Sequence, residues 1–145
     1  MVGCLMSERK LAFSVVGKIT GGNRIKTTVR IGGANRTITT KSARHDLARV
    51  TQLAWVAAQE CGWERPEASS VTIIAYNSRL DVDASCKVIL DGMIGVAYED
   101  DRTVVDLHVE KHRDLDGERY EVQVQPREPL TKPKPAARKK QPKAA

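Results

Sequence analysis

The chain has 145 residues, which is enough for one domain with a modest core and too few for two independent domains. No uncharged run approaches the roughly 18 residues that a membrane span needs, and no signal-peptide pattern opens the chain, so we expect a protein of the cytoplasm. The three cysteines form no Cys-x-x-Cys pair, which argues against a disulfide framework and against a zinc knuckle.

The net charge of +6 is unevenly distributed along the chain. Residues 18–49 carry eight cations and one acid, whereas residues 50–101 carry nine acids and three cations. Residues 127–145 carry seven cations and one acid. Two basic segments therefore flank an acidic one, and this arrangement favours a polyanionic partner held by the basic segments.

The amino-terminal part of the chain predicts strands. Residues 10–16 alternate apolar and polar side chains, as in a half-buried strand. Residues 25–31 and 36–41 are rich in threonine and β-branched residues and are joined by the turn sequence Gly-Gly-Ala-Asn at residues 32–35. The sequence thus predicts one strand followed by a basic hairpin.

The middle of the chain predicts two helices separated by a strand. Apolar residues recur every three or four positions after Ser42, a candidate cap, until Gly62. Residues 71–76 form a short apolar run that predicts a buried strand. A second, short helix is predicted from about residue 83 to residue 93, because Gly92 and Gly95 mark its end.

Two further alternating runs, residues 103–110 and 118–125, predict a second hairpin. The complete order β-β-β-α-β-α-β-β predicts an α+β fold, a mixed sheet with two hairpins covered by two helices. We assign residues 1–126 to this domain. Residues 127–145 are rich in proline, lysine and alanine and are expected to form a disordered basic tail.

Acidic residues are concentrated at the start of the second predicted helix and shortly after it. Asp83, Lys87 and Asp91 are expected to share one stripe of that helix. Carboxylates about 4 Å apart repel by roughly 4 kcal/mol at an effective dielectric near 20, and a hard divalent cation removes this cost. Oxygen ligands without a supporting His or Cys favour Mg²⁺ or Mn²⁺ over Zn²⁺. The acids are Asp81, Asp83, Asp91, Asp100 and Asp101.

Magnesium held by carboxylates beside a basic surface supplies what phosphodiester hydrolysis needs, namely a Lewis acid, an activated water and charge relief. Lys87 is the candidate for orienting the attacking water or stabilising developing negative charge. The residues expected to contact DNA are Asn23, Arg24, Lys26, Arg30, Arg36, Lys41 and Arg79.

Simpler interpretations of these patterns remain open. Acids at a helix start are also typical of caps, because the helix dipole favours negative charge there. A calcium-binding EF-hand fits poorly, since Cys86 stands where that loop needs glycine and Gly92 stands where it needs glutamate. The basic hairpin can equally be a solvated sheet edge.

The acidic segment resembles the signature of the RusA family of Holliday-junction resolvases. Asp81-Val-Asp83-Ala-Ser-Cys-Lys87, Asp91, Asp100-Asp101-Arg-Thr-Val and Lys111 follow the family pattern D-x-D-N-x-x-K, D, D-D-x-x-V and K. The match is specific over residues 80–124. Two positions depart from the pattern: Ala84 replaces the usual asparagine, and residues 21–24, Gly-Gly-Asn-Arg, stand where the family has Pro-Pro-Ser-x-Asn.

The resemblance implies a homodimer that binds four-way junctions and nicks them with magnesium during recombination and repair, in a bacterial or phage-infected cytoplasm. It implies no small-molecule cofactor and no membrane partner. Carried over by position, Asp81, Asp83 and Asp101 are the metal ligands and Lys87 is the catalytic lysine. Asp91 and Asp100 are second-tier candidates.

Two alternative functions stay open from the residues alone. One is a non-catalytic DNA-binding protein in which the acids are structural, and metal-dependent cleavage distinguishes it from an enzyme. The other is a nuclease for flaps or other branched DNA, because only the resemblance selects four-way junctions.

Overall fold

The computed structural model describes residues 9–133 of the chain. Over these residues it confirms the predicted order β-β-β-α-β-α-β-β and the α+β class. The elements are β1 (Leu11–Val16), β2 (Lys26–Ile31), β3 (Ala34–Thr39), α1 (Lys41–Cys61), β4 (Ala68–Tyr76), α2 (Lys87–Gly92), β5 (Val104–His112) and β6 (Arg119–Arg127).

The main sheet has the strand order β1-β6-β4-β5. β4 pairs with β5 in parallel and with β6 in antiparallel orientation, and β6 also pairs with β1. The predicted hairpin between β5 and β6 is therefore wrong, because β4 lies between these two strands. Alternation along a strand reports which side chains share a face, but it carries no information about which strand is the neighbour.

Both helices share one core with the main sheet. The apolar stripe of α1 includes Val50, Ala54 and Ala58, and α2 adds Val88 and Ile89. The strands contribute alternate residues to this core, and the fully buried ones are Leu11, Val15, Val71, Ile73, Ala75, Tyr120 and Val124. The spacing of these residues is what the period of two in strands and of 3.6 in helices requires.

β2 and β3 form a separate two-stranded hairpin, as predicted. Its turn is shorter than predicted, because Ala34 and Asn35 already pair with Ile31 and Arg30. Gly32 and Gly33 have φ values of 60° and 82°, the left-handed conformation that a tight two-residue hairpin turn needs at both positions. The base of the hairpin is closed by a hydrogen bond from the backbone N–H of Thr40 to the carbonyl oxygen of Ile25, at 2.8 Å.

The ends of α1 are defined by Thr40 and Gly62. The Thr40 hydroxyl accepts a hydrogen bond from the backbone N–H of Ala43 at 3.3 Å, so Thr40 is the cap and the prediction of Ser42 is wrong. Ser42 lies within the first turn of the helix. Gly62 ends the helix with a φ of 63°, as its position in the sequence predicts.

α2 is shorter than predicted and begins at Lys87 rather than near residue 83. Residues 82–86 form turns, and the Ser85 N–H donates to the carbonyl oxygen of Asp81 at 3.1 Å. The predicted helical stripe is therefore wrong at its first member, since Asp83 lies in the turn. Lys87 and Asp91 do lie one helical turn apart on α2.

The predicted boundary after residue 126 falls inside β6, because this strand extends to Arg127. Residues 134–145, most of the predicted tail, lie outside the described residues. Within residues 9–133, the helices are too short or too polar to cross a membrane.

Candidate active site

The segment that follows β4 is fastened to the sheet before it reaches the acidic residues. Ser78 Oγ lies 2.7 Å from Tyr120 Oη on β6 and accepts a hydrogen bond from the Leu80 N–H at 3.2 Å. Burial raises the pKa of Tyr120 to about 12, so this phenol stays protonated and donates to Glu118 Oε1 at 3.0 Å, which leaves the Ser78 hydroxyl to donate to Tyr120 Oη. The loop therefore leaves the sheet in a defined direction immediately before Asp81.

Asp81 and Asp83 lie in the turn before α2, and both residues are exposed. Their backbone carbonyl oxygens stabilise the turn: Asp81 accepts from the Ser85 N–H, and Asp83 accepts from Cys86 Sγ at 3.1 Å. Ser85 is completely buried and donates its hydroxyl to Val82 O at 2.9 Å. These bonds use the backbone carbonyl oxygens of Asp81 and Asp83 and not their side chains, so both carboxylates face solvent.

Lys87 and Asp91 form an ion pair along α2, with Lys87 Nζ 3.3 Å from Asp91 Oδ1. The neighbouring Val88 and Ile89 are fully buried, which fixes the orientation of this short helix. The Lys87 side chain remains about half exposed, at 55%. An exposed lysine held by one carboxylate is oriented and still accessible to a ligand.

Asp100 and Asp101 lie at the 3₁₀ turn Asp101–Thr103 that precedes β5. Asp100 accepts hydrogen bonds from the backbone N–H and from the guanidinium of Arg102, each at 3.1 Å. These bonds, the backbone one above all, and a hydrogen bond with Asp101 lower the pKa of Asp100 to about 2. Asp100 is therefore ionised and paired with Arg102.

Asp101 has the opposite electrostatic environment. The hydrogen bond with Asp100, desolvation and the charge of Asp100 raise the pKa of Asp101, and Asp91 adds to this effect while Lys87 opposes it. Asp101 thus lies within electrostatic range of Asp91, Asp100 and Lys87. Residues from α2 and from the turn before β5 thus act on one another's charge, and their role as a catalytic site stays a prediction.

Tyr98 supports this arrangement and was not singled out by the sequence. Its side chain is fully buried, and its hydroxyl donates to the carbonyl oxygen of Leu90 at 2.6 Å. Burial and the charges of Asp101 and Asp91 raise its pKa, so it stays neutral. Tyr98 thus ties the segment before Asp100 to α2 through a neutral donor, and no pattern in the sequence distinguishes it.

The structure does not gather all the predicted ligands. Within residues 9–133, no group of three or more His, Cys, Asp or Glu side chains is close enough to hold a metal ion. Asp81 follows the carboxyl end of β4 and Asp101 precedes the amino end of β5. Because these two strands are parallel, those two strand ends lie at opposite edges of the sheet, and the chain crosses from one to the other through α2.

The donor chemistry nevertheless fits a hard divalent cation. The hydrogen bond with Asp100, desolvation and the charges of Asp100 and Asp91 raise the pKa of Asp101, and a bound cation would relieve the repulsion among these carboxylates. The exposed Asp81 and Asp83 offer further carboxylate oxygens, the ligands that Mg²⁺ prefers. The candidate ligands thus lie on two segments of the chain, the turn before α2 and the turn before β5.

The predicted DNA-contacting residues are distributed over three places. Asn23 and Arg24 lie in the 3₁₀ turn Gly22–Arg24 and are exposed. In the β2–β3 hairpin, the strand pairing puts Lys26 and Arg30 on one face and Arg36 on the other. The remaining two predicted contacts are exposed cations, Lys41 at the start of α1 and Arg79 in the loop after β4.

The base of the hairpin and the candidate catalytic residues share an opening. A cavity of about 290 Å³ is lined by Gly22, Asn23, Ile25, Lys26, Lys87 and Asp91. The Gly22 N–H donates to the carbonyl oxygen of Ala84 at 3.0 Å, which joins this segment to the acidic turn. Predicted DNA contacts and the predicted catalytic lysine are therefore adjacent, as cleavage requires.

Comparison with protein-family models identifies a match over residues 35–125 to the family described as endodeoxyribonuclease RusA. The matched region runs from β3 to β6 and includes all the candidate catalytic residues. Comparison with curated protein sequences finds no match.

Proposed function

Because the chain belongs to the RusA family and is an endodeoxyribonuclease, we propose that it uses Mg²⁺ to nick four-way DNA junctions during recombination and repair. Its place of action is then the cytoplasm of a bacterium or a phage-infected host. The observation that carries the metal-dependent part of this proposal is the grouping of carboxylates next to Lys87: Asp101 is hydrogen-bonded to Asp100, and both Asp91 and Lys87, an ion pair at 3.3 Å, act on its charge.

The proposed ligands are Asp81, Asp83 and Asp101, with Mn²⁺ as a substitute for Mg²⁺. When bound, the ion supplies Lewis acidity toward the scissile phosphate and a more acidic water. The three side chains are all accessible on the surface, while the backbone around each is fixed by hydrogen bonds. Preorganisation of the backbone lets the carboxylates adjust to the ion with little cost in ordering.

Lys87 is proposed to stabilise negative charge that develops on the phosphate. Its ammonium is held by Asp91 at 3.3 Å in the free protein and is half exposed, so it can be shared with a phosphate oxygen. A fixed cation aimed at developing charge is one of the largest contributions a site can make to catalysis.

The substrate class follows from the family and from charge. Exposed cations and Asn23 surround the shared opening, and phosphate contacts of this kind give affinity and orientation without sequence information. A homodimer suits a substrate with two-fold symmetry, since two equivalent sites then face two equivalent strands. We propose that the chain acts as such a dimer.

The first alternative from the sequence, a non-catalytic DNA-binding protein, disagrees with membership of an endodeoxyribonuclease family. Within residues 9–133 the free chain has no three-ligand cluster, so the metal dependence of cleavage is the part of the proposal that needs the experiment.

The deciding experiment is a nicking assay on a synthetic four-way junction, a flap, a linear duplex and single strands, each with and without Mg²⁺. We expect paired nicks in opposite strands of the junction, only with the metal. Asp101→Asn tests the site, and Asp116→Asn, an exposed acid in the turn before β6, is the matched control. Binding without cleavage under every condition would overturn the proposal, and preferential cleavage of flaps would change its substrate.

A further inference from the structure

Three cations line a polar cavity at the carboxyl ends of β4 and β5. Arg79, Lys111 and Arg113 surround it together with Asn77 and Ser78, and its volume is about 540 Å³. All three cations are exposed. Within residues 9–133, none of them lies within ion-pair distance of an acid. We call this the carboxyl-edge pocket.

The topology of the sheet brings these residues together. β4 and β5 are parallel, and Tyr76 pairs with His112, so both strands end at the same edge. Lys111 pairs with Ala75, whose side chain is fully buried under the helices, and therefore projects on the helix side of the sheet. Ligands of open sheets characteristically bind just outside the carboxyl ends of parallel strands.

The backbone of the pocket is held rigidly on both sides. Asn77, whose φ of 58° is left-handed, donates its side-chain amide to Asp114 Oδ1 at 2.9 Å and to Gly117 O at 2.8 Å. The Asp114 N–H donates back to Asn77 Oδ1 at 3.0 Å. The segments that carry Arg79 and Arg113 are thus tied to each other before any ligand binds.

Asp114, the residue that follows Arg113, does not neutralise the pocket, because it is already paired. Arg119 forms an ion pair with Asp114 and holds the pKa of that carboxyl well below its usual range. The Arg119 guanidinium also stacks over the Tyr76 ring, 3.9 Å from the ring centre. The pocket therefore keeps three cationic groups free for a ligand that is not part of the described chain.

The basic surface continues beyond the pocket. Arg79 also lines a neighbouring cavity of about 630 Å³, together with Lys18 and Arg24. Two acids line that cavity as well: Asp46 accepts from the Thr20 N–H and hydroxyl, each at 2.7 Å, and Glu118 accepts from Tyr120 Oη at 3.0 Å. A band of cations thus runs from the base of the hairpin to the carboxyl-edge pocket.

We propose that the carboxyl-edge pocket binds the sugar-phosphate backbone of a duplex arm next to the cleaved strand. Two guanidinium groups and an ammonium around one cavity match phosphate oxygens in charge and donor geometry. Arg79 lies two residues before Asp81, so a phosphate held here sets the position of the strand relative to the acidic turn. This inference rests on the proposed DNA-cleaving function, and it adds Lys111 and Arg113 to the DNA contacts.

The first test compares two double variants that each remove one lysine and one arginine. Lys111→Gln/Arg113→Gln alters the pocket, and Arg9→Gln/Lys10→Gln alters cations just before β1, at the sheet edge opposite β5. Binding to a four-way junction is measured without Mg²⁺ over a range of salt concentrations. We expect the pocket variant to reduce the slope of log K against log salt by about 1.8, roughly 0.9 per engaged duplex phosphate. The control pair should lose less than about a third of that.

The second test separates a local contact from a general loss of positive charge. Single phosphates of one junction arm are replaced in turn by neutral methylphosphonates, and affinity is measured for the wild type and for both double variants. We expect replacement of two or three adjacent phosphates to weaken binding by the wild type. The same replacements should not weaken binding by the pocket variant any further, because that variant has already lost the contact to those phosphates. The control variant should retain the wild-type pattern.

The outcomes distinguish this inference from the proposed function. If the wild type nicks junctions but the pocket variant matches the control pair in slope and in methylphosphonate pattern, the pocket assignment is wrong. If the wild type binds without nicking while the pocket variant loses its local phosphates, the pocket stands and the proposed cleavage fails. Unchanged melting temperatures for all the variants exclude a folding defect.

Discussion

Lys87 Nζ lies 3.3 Å from Asp91 Oδ1, one helical turn away on α2, and both residues lie within electrostatic range of Asp101. We expect Lys87→Ala to reduce the nicking rate by about 100- to 1000-fold, the loss typical of one donor that stabilises transition-state charge. Binding to the junction should change little. The rate is measured under single-turnover conditions, with Lys10→Ala as the control.

Asp91→Asn removes the charge of the other partner in this ion pair. Loss of the ion pair leaves Lys87 less well oriented, so we expect about a tenfold lower turnover rate and an unchanged affinity, since misplacement costs less than removal. A rate equal to that of Lys87→Ala shows that Lys87 contributes nothing without Asp91, and a larger loss indicates a role for Asp91 beyond the ion pair. A wild-type rate shows that the ion pair has no part in catalysis.

The acidic residues give a second prediction. Asp81→Asn, Asp83→Asn and Asp101→Asn each keep the shape of the side chain and remove a ligand charge, so we expect cleavage to be lost and junction binding to be kept. Ca²⁺ should support binding and little cutting, because its coordination is looser than that of Mg²⁺. Nicking assays and binding titrations measure both effects, and normal turnover by all three variants refutes the ligand assignment.

The sequence predicted the elements better than their pairing. The alternation in β5 and β6 is genuine, but the partner of each strand depends on β4, which contacts both at long range. The start of α2 was predicted too early because Asp83 has suitable helical spacing, whereas the bond from Ser85 N–H to Asp81 O closes a separate turn. Local periodicity cannot distinguish these cases.

Only part of the candidate site was predicted, because local sequence patterns reveal only those site residues that are close together in the chain. The cluster of Lys87, Asp91, Asp100 and Asp101 is local in sequence, and the structure brings it together. Lys111 and Arg113 were not identified as DNA contacts because they belong to no basic run. They meet Arg79 only through the parallel pairing of β4 with β5, a relationship that no short window of sequence contains.

A third prediction concerns the packing of α2 against α1. A Cβ atom added at Gly92 would lie 2.7 Å from Val50 Cγ1 and 3.3 Å from the Leu47 carbonyl oxygen. We expect Gly92→Ala to destabilise the fold by about 1–3 kcal/mol through overpacking, which lowers Tm by several degrees. Gly22→Ala is the control, because its added carbon meets its nearest neighbour at 3.7 Å. Equal Tm values for the two variants contradict the close contact.

A fourth prediction follows from the ion pair of Asp114 with Arg119. This pair lowers the pKa of Asp114, so its contribution to stability is present above the ordinary carboxyl range and is lost as the pH falls through the lowered value. We expect Asp114→Asn to have a lower Tm than the wild type at pH 6 and the difference to shrink toward pH 2. Asp116→Asn serves as the control, and a difference that is independent of pH excludes the charge as the cause.

The last prediction concerns the basic tail, residues 127–145, whose composition predicts that it adds affinity for DNA through contacts between its cations and the phosphates. Since Arg127 ends β6, a truncation must spare it, and ending the chain at residue 133 removes five cations: Lys134, Arg138, Lys139, Lys140 and Lys143. If all five engaged duplex phosphates, the slope of log K against log salt would fall by about 4.5, at roughly 0.9 for each. From its composition we expect this segment to engage fewer of them at once, so the expected fall is about 2–4.

The truncated chain should bind every DNA shape more weakly and by a similar factor, because phosphate contacts read neither sequence nor branching. Its nicking positions should not change, since the candidate catalytic residues all lie between Asp81 and Asp101. Binding titrations on a junction and on a duplex of equal length, with nick mapping on the junction, measure both effects. An unchanged salt slope shows that the tail contributes to solubility and not to DNA affinity. Loss of junction binding alone, with duplex binding intact, makes it a specificity element instead.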